Sequence, residues 1–168
     1  HGLQPYVHSH TFQMNFLGFL RMYQLTGNES LLRKVKGAWD DIAGRQMYIT
    51  GGVSVGEHYE KGYIKPITGH VVETCATMSW MQLTQYLLEL TGDPKYADAT
   101  ERLLLNHVFA AQTIDGNCNR YHTPPNGTKD DYFHGPDCCT GSGHRIISLL
   151  PLFLYTTDAD SLIVNQYV

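Results

Sequence analysis

The chain has 168 residues, 42% of them hydrophobic, which is enough to bury a core in one globular domain; its 12 basic and 16 acidic residues give a formal charge of −4 with no long run of either sign. Nothing in that balance attracts a polyanion, which argues against nucleic acid or an anionic membrane surface as a partner. No apolar run approaches the roughly 20 residues of a membrane span, and the opening HGLQPYVHSH has neither an initiator Met nor the apolar centre of a signal peptide. It reads as a cut point in a longer chain, leaving the compartment (cytoplasmic, or periplasmic or secreted, in a bacterium) and the oligomeric state open.

In chain order, Phe12, Phe16, Phe19, Leu20 and Tyr23 recur at steps of three and four and predict a helix face. Gly27 suits the left-handed position after that helix, and Asn28 suits the cap of a second one carrying Leu31, Leu32, Val35, Ala38, Trp39 and Ile42. A long loop from Gly51 to Gly69 follows, rich in Gly, Pro, His and Tyr. Met78, Leu83, Leu87 and Leu90 then lead to Gly92, with Asp93 as cap and Pro94 in the first turn of a helix continuing through Tyr96, Thr100, Leu103, Leu104 and His107. A second long loop, Asp115 to Gly143, precedes a fifth helix from about Ser142 to Tyr155. In the tail DADSLIVNQYV, Leu162, Val164 and Gln166 alternate with Ile163, Asn165 and Tyr167 as in a strand.

The phrases YQLTGNESLL and LELTGDPKYA each join one helical stretch to the next, about 65 positions apart, so the chain contains two similar αα-hairpins. Such hairpins bury their faces against neighbours, in a solenoid or in a ring closed into an α/α toroid. Five helices are few for a closed ring.

Four cysteines, at 75, 118, 138 and 139, are too few for a disulfide scaffold. The adjacent pair in GPDCCTGSG has three readings: a strained vicinal disulfide, two buried bystanders, or two thiolates at a metal. In VVETCATMSW, Glu73 and Cys75 stand at the mouth of a helix, where exposed N–H groups favour anionic side chains. With Cys138 and Cys139 they make a plausible four-ligand zinc set, although the paired C-x-x-C knuckles of a zinc ribbon are missing. On the residues alone, zinc, burial and disulfide all stay open.

The run from GEHYE through ETCA, the LTGD hairpin and the Cys-Cys pair together resemble the bacterial β-L-arabinofuranosidases of glycoside hydrolase family 127 and its sister family 146, over nearly the whole chain. The resemblance implies an all-α fold, part of an (α/α)6 catalytic toroid over residues 1–158, with the first strand of a β-sandwich domain at 159–168. It implies a zinc ion held by Glu73, Cys75, Cys138 and Cys139, with Cys138 as nucleophile and Glu57 as general acid/base. His8 and Tyr121 match sugar-contacting positions, and the implied partner is an arabinofuranosyl glycan or oligosaccharide. CCTGSGHR lacks the Cys-Cys-Pro-Pro-Asn form of one branch and is closer to the Cys-Cys-x-Gly-Thr-Gly form of the sister family.

Other readings stand beside these. Glu60 is the alternative acid, and a two-carboxylate glycosidase using Glu57 and Glu73, or a non-catalytic module stapled by zinc, are the rival functions. Cys118 reads as a spare thiol. Tyr132 shares with Tyr121 the alternatives of sugar platform or loop packing, and His58, His70, His122, His134 and His144 receive no individual role.

Overall fold

Local capping chemistry sets the ends of the long helices. The structure, a computed structural model, describes residues 7–60, 65–129 and 137–167. Helix α1, Ser9–Thr26, closes at Gly27, whose φ of 66° lets its N–H reach the Tyr23 carbonyl at 2.8 Å. Asn28 caps α2, Glu29–Arg45, by accepting from the Ser30 N–H at 3.1 Å. The same grammar recurs where α3, Thr74–Thr91, ends at Gly92 and Asp93 caps α4, Pro94–Leu103. The expected unbroken helix through His107 instead widens into a π-helical turn, Leu104–Val108, before the short α5, Phe109–Ala111.

The fifth long helix starts earlier than its glycines suggest. Asp137 accepts from the Thr140 N–H at 2.7 Å and so initiates α6, Cys138–Leu154, which places both adjacent cysteines in the first turn rather than in a loop. The chain then forms a small antiparallel pair, β1 (Tyr155–Thr157) and β2 (Leu162–Val164), with Tyr155 opposite Val164.

Helix α3 is central, packing against α1, α4 and α6. Met78, Trp80, Met81, Leu83 and Leu87 are all buried, each such side chain contributing about 1.5–3 kcal/mol. Trp39 of α2 stacks on Trp80 with ring centroids 5.3 Å apart, meets Tyr96 of α4 edge-on, and donates its indole N–H to Thr84 Oγ1 at 2.9 Å. This packing fixes the axis of α3, and therefore the position of its N-terminus.

Three loop segments are cross-braced at that N-terminus. The Val72 N–H donates to Ser54 O, the Gly56 N–H to His70 O, the Thr74 N–H to Tyr121 O and the Thr123 N–H to Val72 O, at 2.8 to 3.1 Å. Ser54, Glu57 and Val72 hold left-handed backbone with φ of 94°, 69° and 57°. Side chains rarely adopt that region, at about 1–2 kcal/mol per residue. The braces hold these residues there.

Candidate active site and metal centre

Glu73 is the cap residue of α3 and Cys75 lies in its first turn, while Cys138 and Cys139 open α6. Their ligating atoms lie within 4.8 Å of one another, close to the about 3.7 Å edge of a tetrahedron built on metal–sulfur bonds of about 2.3 Å. The Cys138 and Cys139 sulfurs are 4.0 Å apart, roughly twice the length of a disulfide bond, and all four cysteines are free. The ligands stand at the N-termini of two helices, where the helix dipole favours anionic side chains. The Cys75 N–H donates to Cys139 Sγ at 3.4 Å.

The donor set fits a cation. Glu73 is fully buried, its Oε1 accepting from Cys75 Sγ at 2.7 Å and its Oε2 meeting no hydrogen-bond partner among the described residues. An orphaned carboxylate oxygen in the interior is costly unless a cation or proton satisfies it. Burial pushes the Glu73 carboxyl up to about 7. The Cys139 side chain, burial and Glu73 together drive the Cys75 thiol well above its ordinary range, and burial raises Cys138. Without a cation these groups therefore hold their protons, and a divalent ion among them would favour the deprotonated forms instead.

A second group adjoins the first. His8 Nε2 lies 3.4 Å from Glu73 Oε1 and 3.8 Å from Glu57 Oε2. Tyr121 donates its hydroxyl to Glu57 Oε1 at 2.5 Å, and Cys138 Sγ is 3.6 Å from the same hydroxyl. The backbone at Glu57 is pinned through its carbonyl, which accepts from both the N–H and the hydroxyl of Ser9 at 2.8 Å.

Every residue singled out by the sequence for the site, His8, Glu57, Glu73, Cys75, Tyr121, Cys138 and Cys139, is thus brought into one cluster. Glu60 is not part of it: its backbone is tied to the Gln46 amide and its side chain faces solvent. Cys118 lies apart, its N–H held by Thr113. His144 is exposed on α6, and Tyr132 and His134 lie outside the described residues. Sequence reasoning missed the supporting residues: Ser9, His10, whose Nδ1 is 3.1 Å from Cys75 O, and Ser54, whose Oγ accepts from the Glu73 N–H at 2.9 Å. These contacts join positions far apart in sequence, and no local pattern announces them.

Residues 3–151 match the family model described as β-L-arabinofuranosidase, GH127 catalytic domain. A non-reducing end β-L-arabinofuranosidase of Bifidobacterium longum subsp. longum is 28% identical over 173 positions, covering 91% of this chain and 26% of the relative. Among solved structures, a GH127 β-arabinofuranosidase superposes with a TM-score of 0.83 at 28% identity, covering 95% of this chain and 26% of that one. A GH127 β-L-arabinofuranosidase from Geobacillus stearothermophilus T6 gives 0.82 at 27% identity, covering 96% and 28%. The chain therefore spans about a quarter of the length of these relatives, and its hairpins form part of an (α/α)6 toroid. With the family model matched over nearly its whole length, this chain belongs to the GH127 β-L-arabinofuranosidase catalytic-domain family.

Proposed function

We propose that the chain carries the reaction centre of a retaining glycoside hydrolase that releases β-L-arabinofuranosyl units from glycans or oligosaccharides, with Cys138 as nucleophile and Glu57 as general acid and base. The observation that carries this reading is the Tyr121 hydroxyl, which touches Glu57 Oε1 at 2.5 Å and Cys138 Sγ at 3.6 Å. The two groups therefore stand no more than about 6 Å apart, near the about 5–5.5 Å separation of nucleophile and acid in retaining enzymes.

Glu73, Cys75, Cys138 and Cys139 would hold zinc, which when bound keeps the thiols deprotonated and neutralises the buried carboxylate. Cys138 is the exposed member of the set, whereas Glu73 has no exposed surface, which favours sulfur over the Glu73 carboxylate as the attacking atom. In the first step Cys138 Sγ bonds to the anomeric carbon as the carbon–oxygen bond breaks, and Glu57 passes its proton to the departing oxygen. Glu57, now a carboxylate, takes a proton from water, whose oxygen displaces the sulfur and restores the thiolate. His8 and Tyr121 offer the hydrogen bonds that orient the sugar between them.

The test is elemental analysis and turnover of the polypeptide containing this chain. About one zinc per chain is expected in wild type, with loss in Glu73→Ala and Cys139→Ala. Glu57→Gln is expected to keep zinc and lose turnover, and a slow substrate should leave its sugar on the Cys138 peptide in mass spectrometry. Absence of zinc from carefully prepared wild type, or full turnover by Cys138→Ser, overturns the reading.

A further inference from the structure

We propose that the cleft walled by His70 and His122 is the subsite for the sugar on the leaving-group side of the cleaved bond, and that it takes a neutral sugar residue. This rests on the reading above, in which Glu57 is the acid.

The cleft holds about 470 Å³, within the about 300–1,000 Å³ typical of small-molecule sites. Its walls include Thr68, His70, His122, Pro124, Asn126 and Thr128. Hydroxyls, an amide and the His70 imidazole offer both donors and acceptors, as a polyol requires, and among the described residues no Lys, Arg, Asp or Glu lines the space. A uronate or phosphate would find no fixed countercharge among these residues.

The two imidazoles also speak against a second metal site. Their rings stack with centroids 4.9 Å apart and only 6° between planes. Ring-nitrogen lone pairs lie in the ring plane, so parallel stacked rings cannot aim both at one ion. The stack instead makes a flat wall against which a sugar face can pack.

Both walls of the cleft are linked to the groups that hold the acid. The His122 ring lies 4.8 Å, centroid to centroid, from the ring of Tyr121, whose hydroxyl holds Glu57. The His70 carbonyl accepts from the N–H of Gly56, the residue before Glu57, at 2.8 Å. A general acid must come within hydrogen-bond reach of the departing oxygen, so the sugar attached to that oxygen extends into space beside Glu57. The loops are fixed in advance: the Asn126 N–H donates to Ile67 O at 2.9 Å, and the Tyr48 hydroxyl donates to Pro66 O at 2.8 Å.

The experiment compares kcat/KM for a β-L-arabinofuranosyl disaccharide with kcat/KM for 4-nitrophenyl β-L-arabinofuranoside, in wild type, His70→Ala and Asn126→Ala. The nitrophenyl group cannot use the sugar's hydrogen bonds, so the ratio of disaccharide to aryl values is expected to fall about tenfold or more in both variants. A ratio that stays at the wild-type value, whether both rates drop together or neither moves, overturns the subsite. Undiminished cleavage of both substrates by Glu57→Gln removes the acid itself and overturns the parent reading and the subsite together.

Discussion

Tyr121 and Glu57, 64 residues apart in sequence, meet through a 2.5 Å hydrogen bond from the phenol to the carboxylate. Burial, then Glu57 and Cys138, hold the phenol far above its ordinary value, so it stays a donor at every working pH. Tyr121→Phe keeps the ring and removes only that donor. A fall in kcat/KM of about 10- to 100-fold is expected, with zinc content unchanged in elemental analysis. An unaltered kcat/KM would mean that the hydroxyl does not act on the reacting groups.

The metal-free chain should become less stable as pH rises. In the folded chain burial raises the Glu73 carboxyl to about 7 from an ordinary value of 4.5, so between these values the native state holds a proton that the unfolded state has released. Stability contributed by this group is full below about pH 4.5 and declines by on the order of 3 kcal/mol as the pH passes 7. Urea midpoints of chelator-treated protein across that window measure it. Metal binding displaces the same proton, so zinc affinity should rise with pH, as read by competition with a coloured chelator. A flat profile in both measurements would remove Glu73 from the ligand set.

Two glycine substitutions should move stability in opposite directions. A Cβ on Gly52 would lie 2.2 Å from Val72 Cγ1, and Val72 directly precedes Glu73. Gly52→Ala is expected to cost about 1–3 kcal/mol or more and to weaken zinc binding by displacing Glu73. Gly18, inside α1, has open space around its would-be Cβ, and Gly18→Ala should stabilise by about 0.5–1 kcal/mol. Thermal melts and zinc titration of the two variants check both outcomes.

A buried pair behind the site has a measurable coupling. His107, in the π-helical turn and fully buried, shares a 2.8 Å hydrogen bond with the Thr123 hydroxyl, and the Thr123 N–H holds the Val72 carbonyl. Burial drives the imidazole down to about 3, so it stays neutral. His107→Leu and Thr123→Val each strand a buried partner and should cost about 1–3 kcal/mol, while the double variant should cost less than the sum. Strict additivity in urea unfolding would show that the pair does not interact.

The hairpins were legible because their signals are local: period 3.6 with Gly27 and Asn28 at one turn, and Gly92, Asp93 and Pro94 at the other, where the structure has them. Glu73 and Cys75 were legible as residue types at a helix mouth, whereas Cys138 and Cys139 fell in an expected loop, and the motif resemblance joined the two pairs. The start of α6 was misread, because Gly141 and Gly143 look like helix breakers. Gly143 is small for a tertiary reason: its Cβ would meet Asn119 Cγ at 2.3 Å. The π-helical turn escaped notice because Thr100, Leu103, Leu104 and His107 recur at the three- and four-residue steps of an ordinary α-helix. The braces from Ser9, Ser54 and Thr123 join loops distant in the chain, and only packing reveals them.

The left-handed backbone at Ser54, Glu57 and Val72 makes this site a poor target for laboratory improvement. Glycine at Ser54 or Val72 would relieve about 1–2 kcal/mol of steric cost, but it would also remove the Ser54 hydroxyl that accepts from the Glu73 N–H, or the fully buried Val72 side chain, either of which costs as much or more. It would also free the peptide groups that aim Glu73 and Glu57. The strain at those positions is therefore no reserve for heat tolerance, and any survivor of a selection for heat resistance that is changed there should be screened for turnover before it is ranked by melting temperature.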